Sequence, residues 1–101
     1  MEKKLPIKYL PSAAQDITEI IDYISLDNPP AALDLLNQFD ESISILAYFP
    51  FSGPIPKDPR LQLLNYRMLV IQSYLVFYVV GDDFVEIRRI LHGKRKYDFL
   101  I

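Results

Sequence analysis

Residues 66–91 leave the backbone little choice. Tyr66-Arg67-Met68-Leu69-Val70-Ile71 is followed by only Gln72-Ser73 and then by Tyr74-Leu75-Val76-Phe77-Tyr78-Val79-Val80. Gly81-Asp82-Asp83 then forms a strong turn signal before Phe84-Val85-Glu86-Ile87-Arg88-Arg89-Ile90-Leu91. β-Branched and aromatic side chains dominate all three runs, and such residues fit a pleated sheet. The connections are hairpin-sized, so the three runs are predicted to pair as antiparallel neighbours. The middle run is apolar at successive positions, and successive strand residues face opposite ways. Both of its faces therefore need cover. One face is expected to meet helices, and the other a loop, the tail or a partner.

The helices come earlier in the chain. Ile7-Lys8-Tyr9-Leu10, between Pro6 and Pro11, predicts a short first strand at a sheet edge. Ser12-Ala13-Ala14-Gln15 has the form of a capping box opening a helix. Ala13, Ile17, Ile20, Ile21 and Ile24 recur at spacings of three or four and form its core-facing stripe, with Asp16, Glu19 and Asp22 expected mostly on the other side. Asn28 suits an N-cap and Pro29 the first position of a second helix. That helix carries Ala32, Leu35, Leu36, Phe39, Ile43 and Leu46 and is ended by Pro50. Pro50, Gly53, Pro54, Pro56 and Pro59 make residues 50–60 a loop by composition. The predicted architecture is α+β, one domain over residues 1–101. An N-terminal strand and a helical hairpin pack on an antiparallel sheet of three to four strands.

Composition excludes several classes of chemistry. The chain has 101 residues and no cysteine, which removes disulfides, thiol nucleophiles and thiolate metal sites and fits a reducing cytoplasm. No apolar run approaches the roughly 18 residues of a membrane span, and the first residues lack the apolar stretch of a secretory signal. Three glycines and one histidine provide neither a phosphate-cradling loop nor a metal-ligand cluster, so no cofactor or metal is expected. The net charge of -2 does not suggest a general nucleic-acid binder. It conceals an asymmetry: residues 1–50 hold 3 Lys/Arg against 8 Asp/Glu, and residues 51–101 hold 8 against 5. Arg88, Arg89, Lys94, Arg95 and Lys96 form either a solvated strand end and tail or a partner-facing surface for an acidic peptide or nucleic acid. His92 reads as a capping or packing residue, with general-base duty as the sharper alternative. Arg95 could stabilise a phosphoryl transition state, and Tyr97 could move a proton or stack on a base. Arg67 could pair with an acidic helix residue or act in catalysis.

Three stretches, in order along almost the whole chain, resemble the RelE/ParE toxins of bacterial toxin–antitoxin pairs. Pro11-Ser12-Ala13-Ala14-Gln15-Asp16-Ile17, with Ile20, Tyr23 and Ile24, resembles the family's opening helix. Phe49-Pro50 with Gly53, then Leu64-Asn65-Tyr66-Arg67, is similar to its "P-x-x-G … GYR" passage, with Asn65 in place of the usual glycine. Tyr74-Leu75-Val76-Phe77-Tyr78 and Val85 through Arg95 resemble its last two strands and "ILHGKR" ending.

The resemblance implies the fold derived above and a cognate antitoxin, through which the pair would contact operator DNA. It leaves the target open between two classes. RelE-like members cleave messenger RNA in the ribosome, and on that reading Arg67, His92, Arg95 and Tyr97 are the catalytic candidates. ParE-like members bind DNA gyrase and are not nucleases. Many nuclease members carry an arginine after the aromatic that begins the third strand, and Leu75 stands there in this chain. With the acidic overall balance, this favours the gyrase-directed class. A homologue that binds antitoxin but has lost activity is the third reading.

Overall fold

The computed structural model describes residues 4–94 and Leu100. Strand β1 (Ile7–Tyr9) leads into helix α1 (Pro11–Ser25) and helix α2 (Pro29–Ile45). A short helix α3 (Pro59–Leu63) precedes strands β2 (Tyr66–Ile71), β3 (Tyr74–Val80) and β4 (Val85–His92). The sheet order is β1-β4-β3-β2, so the predicted edge position of β1 is observed. β2, β3 and β4 form the expected antiparallel meander. β1 departs from the expectation of a wholly antiparallel sheet: it runs parallel to β4, with Ile7 opposite Val85. The chain traverses both helices and two strands before returning to β1, and a connection of that length permits parallel pairing.

The two long helices begin differently. Asn28 caps α2 as expected, its side chain accepting from the Ala31 amide at 3.2 Å, with proline in the first turn. The capping box of α1 does not form. The N-cap is Leu10, without a side-chain bond, and the helix starts at Pro11. Proline supplies the helical φ there and lacks only an amide that would have had no partner. Ser12 is thereby inside the helix, and Gln15 bonds forward to Glu19 at 3.0 Å instead of back to a cap.

Both faces of β3 are covered, as its composition required. Val76 and Tyr78 join Leu35, Phe39 and Ile43 of α2 in the main core, with Ile17, Ile20, Ile21 and Ile24 of α1 packed against it. Leu36, expected in that core, is 39% exposed on the outer flank of α2. On the opposite face Phe77 packs with Tyr66, Leu91 and Leu61 of α3, and Leu100 lies against this second cluster. Of the cover expected for this face, the tail is represented by Leu100, while a short helix stands where a loop was expected.

Two residues adopt left-handed backbone conformations. Asn65 has φ 62°, which explains why the resemblance places a glycine there, and asparagine tolerates that region better than most residues. Gln72, in the two-residue hairpin between β2 and β3, has φ 53° without that tolerance. Gln72→Gly is expected to stabilise the protein by about 0.5–1 kcal/mol, since relief of the Cβ clash exceeds the added unfolded-state entropy. Urea denaturation checks this, and an unchanged midpoint would contradict it.

Candidate functional site

The last strand carries an irregularity that determines where its side chains go. Phe77 pairs with Arg89 and Tyr78 with Ile87, so Arg88 is an extra residue in β4, a β-bulge. Val85 and Ile87 face the helices before the bulge, and Ile90 faces them after it. Strict alternation would have sent Arg89 into the helix-facing core and Ile90 to the opposite side.

Helix α1 holds this bulge. Ser12 and Asp16 lie one turn apart on the same face. The Ser12 hydroxyl donates to the Arg88 carbonyl at 3.0 Å. The Asp16 carboxylate accepts the Ile90 amide at 2.9 Å and takes the Arg89 guanidinium in a two-point contact at 2.7 and 3.0 Å. Asp16 is therefore not on the solvent side of α1, as the charge pattern suggested, but is 8% exposed at the sheet. Its hydrogen bond holds the Arg89 pKa above the ordinary value. Arg88 bonds to Glu86 at 2.9 Å and lies over the Tyr66 ring, 5.4 Å from its centroid. Burial pulls the Arg88 pKa down, but contacts with Tyr66 and Glu86 outweigh it and the net shift is upward. Arg88 and Arg89 of the expected basic surface are thus charged and engaged within the chain.

A cleft of about 260 Å³ opens beside the bulge, between α1 and the strand ends, lined by Glu19, Ile20, Tyr23, Tyr74 and His92 among others. His92 is exposed, and its Nδ1 accepts the Lys94 amide at 3.2 Å, so it caps the turn that follows β4. Its ring meets Tyr74 edge-on at 5.5 Å, and Tyr74 meets Phe39 at 5.9 Å. With Nδ1 accepting, the neutral ring carries its proton on Nε2.

A second constellation ties the proline-rich loop to the sheet. The buried Tyr78 hydroxyl donates to the Pro50 carbonyl at 2.8 Å and accepts the Gly53 amide at 3.0 Å. Burial raises the Tyr78 pKa against a smaller opposing effect of the Gly53 amide. Arg67, opposite Tyr78 in the register, donates through Nη1 to the carbonyls of Phe51 at 3.1 Å and Gly53 at 2.9 Å. Its guanidinium also stands 5.0 Å from the Phe51 ring centroid. The expected pairing of Arg67 with an acidic helix residue is not what forms: loop carbonyls and an aromatic face take its place. The P-x-x-G spacing now has a physical cause. A Cβ on Gly53 would collide with the Tyr78 hydroxyl and lie 2.8 Å from the Met68 carbonyl oxygen.

The described candidates do not converge. Arg67 pairs across to Tyr78 on β2, whereas His92 pairs across to Tyr74 on β4. That register separates them by about 13 Å along the strands and about 10 Å across the sheet. Leu75 lies opposite Leu91 and packs on the side of β3 away from the long helices. Lys94 occupies the turn after His92. Arg95, Lys96 and Tyr97 lie outside the described residues. No cluster of metal-ligating side chains occurs among the described residues. The sequence reading missed the roles of Ser12, Asp16 and Tyr78. The four-residue spacing of Ser12 and Asp16, on the edge of the isoleucine stripe, was the available signal for the first two.

Two comparisons with known proteins bear on the family of this chain, and a third on its fold. Residues 7–97 match the family model described as ParE toxin of type II toxin-antitoxin system, parDE. The curated Toxin RelE2 of Caulobacter vibrioides is 33% identical over 84 residues, covering 82% of this chain and 89% of that protein. A chain in the structure of the chromosomal ParDE TA system from P. aeruginosa superposes with a TM-score of 0.75. It is 20% identical and covers 90% of this chain and 98% of its own, so it carries the fold.

The loop anchor yields a direct expectation. Tyr78→Phe leaves the Pro50 carbonyl and Gly53 amide without their shared hydroxyl and is expected to cost about 1–3 kcal/mol. Thermal and urea unfolding check this, and a loss below about 0.5 kcal/mol would show that other groups satisfy the loop.

Proposed function

We propose that this chain, which belongs to the ParE toxin family of type II toxin–antitoxin systems, acts by inhibiting DNA gyrase. Family membership makes it the toxin of a pair and implies a cognate antitoxin that restrains it. Gyrase as the target also makes the cytoplasm its place of action, with operator DNA reached only through the antitoxin.

The observation that carries this reading is the separation of Arg67 from His92, the two nuclease candidates among the described residues. Phosphoryl chemistry on RNA needs a base, an acid and a cation within reach of one phosphate. Among the described residues, Arg67 is engaged with two loop carbonyls. His92 caps a turn at the other end of the sheet. Leu75, where a phosphate-binding arginine would be wanted, packs beside Leu91 and Phe77. Inhibition by binding requires surface and shape and no such convergence. Ribosome-dependent cleavage of messenger RNA is kept as the second reading because of the relative named Toxin RelE2. On that reading Arg67, His92, Arg95 and Tyr97 supply the chemistry.

Purified protein added to gyrase and relaxed plasmid is expected to block supercoiling or trap cleaved DNA, while messenger RNA on ribosomes stays intact. Untouched gyrase with cleavage at ribosomal A-site codons would overturn the proposal in favour of the nuclease. If neither target is affected and induction does not arrest growth, the chain is an inactive antitoxin-binding homologue.

A further inference from the structure

The outer flank of α1 is both apolar and acidic, and nothing in the described chain covers it. The cleft beside the bulge reaches Tyr23, and a second hollow of about 400 Å³ continues from Tyr23 past Ile24 to Leu26 and Asp27. Tyr23 is 77% exposed and Leu26 is 87% exposed, the latter the most exposed of the large hydrophobic residues described. Side chains of that size left in water at adjoining hollows form a surface that gains by being covered.

Charge narrows the occupant. From residue 9 to residue 56 the sequence contains no lysine or arginine, yet it holds seven carboxylates. Asp16 is engaged by Arg89, while Glu19, Asp22 and Asp27 are exposed on α1 and in the turn after it. Arg89, held by Asp16, also feels Glu19, and Lys94 stands in the turn after His92, at the end of the cleft lining. Among the described residues, with the Asp16–Arg89 pair set aside, three carboxylates against one ammonium leave the flank negative. Like charge opposite that rim would be repelled, and opposite charge attracted within a Debye length of about 8–10 Å.

We infer that the Tyr23–Leu26 flank of α1 is a docking surface for a basic, apolar-anchored segment of a partner protein, its hydrophobic side chains seated beside Tyr23 and Leu26 and its lysines or arginines facing Glu19, Asp22 and Asp27. Membership of a toxin–antitoxin family supplies a class of partner, but the inference rests on this surface and holds whichever target the toxin has. It specifies a partner segment of positive charge, the complement of this chain's acidic first half.

The full-length protein, isotopically labelled, can be titrated with two synthetic peptides of about 16 residues, long enough as helices to span about 24 Å. Both carry leucine at helical spacing; one carries lysine at its remaining positions and the other glutamate. The lysine peptide is expected to shift the amide resonances of Ile20, Tyr23, Leu26 and Asp27. Its affinity should fall at least tenfold between low and 0.3 M salt. The double variant Asp22→Lys/Asp27→Lys, checked for folding by circular dichroism, should lose at least tenfold in affinity and gain binding of the glutamate peptide. Equal binding of both peptides, shifts centred elsewhere, no binding of the lysine peptide, or indifference to the charge reversal would each overturn the inference. So would a concentration-dependent dimer of the chain alone that Tyr23→Lys dissolves, because the occupant would then be a second copy. None of these readouts involves gyrase or RNA, so their failure is distinct from failure of the proposed target.

Discussion

One carboxylate fixes the relation between the helices and the sheet. Asp16 accepts from the Ile90 backbone amide and from the guanidinium of Arg89, and one turn earlier Ser12 donates to the Arg88 carbonyl. Together they satisfy backbone groups on either side of the extra residue in β4. A buried carboxylate without such partners would be strongly unfavourable, and a bulge whose backbone groups lacked partners would be costly as well. Breaking a buried ion pair by removing one member costs about 3–5 kcal/mol, a large share of the roughly 5–15 kcal/mol available to a domain of this kind. The bulge in turn decides that Ile90 enters the main core while Leu91 joins Phe77 on the far face. α1, β4 and both apolar clusters therefore depend on a contact between residues 73 and 74 positions apart in the chain.

That dependence accounts for what could be read from the sequence. The β2–β3–β4 meander and the α1–α2 hairpin were legible because local periodicity and short connections determine them. Asn28 and Pro29 were legible because capping is local. The parallel pairing of β1 was not, since it is set by a partner more than 70 residues away. Asp16 was misread for a related reason. Periodicity assigns a carboxylate beside an isoleucine stripe to solvent, and only the bulge opposite supplies a reason to bury it. Ser12 and Gln15 match the capping box in composition, but Pro11 opens the helix two residues earlier and displaces both from capping duty.

The candidate site divides along the same line. His92 as a capping residue was legible from its place before Gly93, and the Lys94 amide is what it caps. The role of Arg67 was hidden because its acceptors are backbone carbonyls of the loop, which no side-chain pattern reveals. Tyr78 read only as another apolar strand residue, although its hydroxyl orders residues 50–53 and gives the glycine of P-x-x-G its purpose. These roles are structural. They belong to the scaffold, and function resides in the surfaces that a fold carries.

A double-mutant cycle on Asp16 and Arg89 tests the dependence most directly. Asp16→Asn, Arg89→Gln and the double variant would be unfolded in urea beside the parent chain. The expected result is a coupling energy of at least about 1.5 kcal/mol, with the Asp16 variant the more destabilised single change because it also weakens the bond to the Ile90 amide. Additive losses, with coupling below about 0.5 kcal/mol, would contradict the account: the bulge would then be held by something other than this contact.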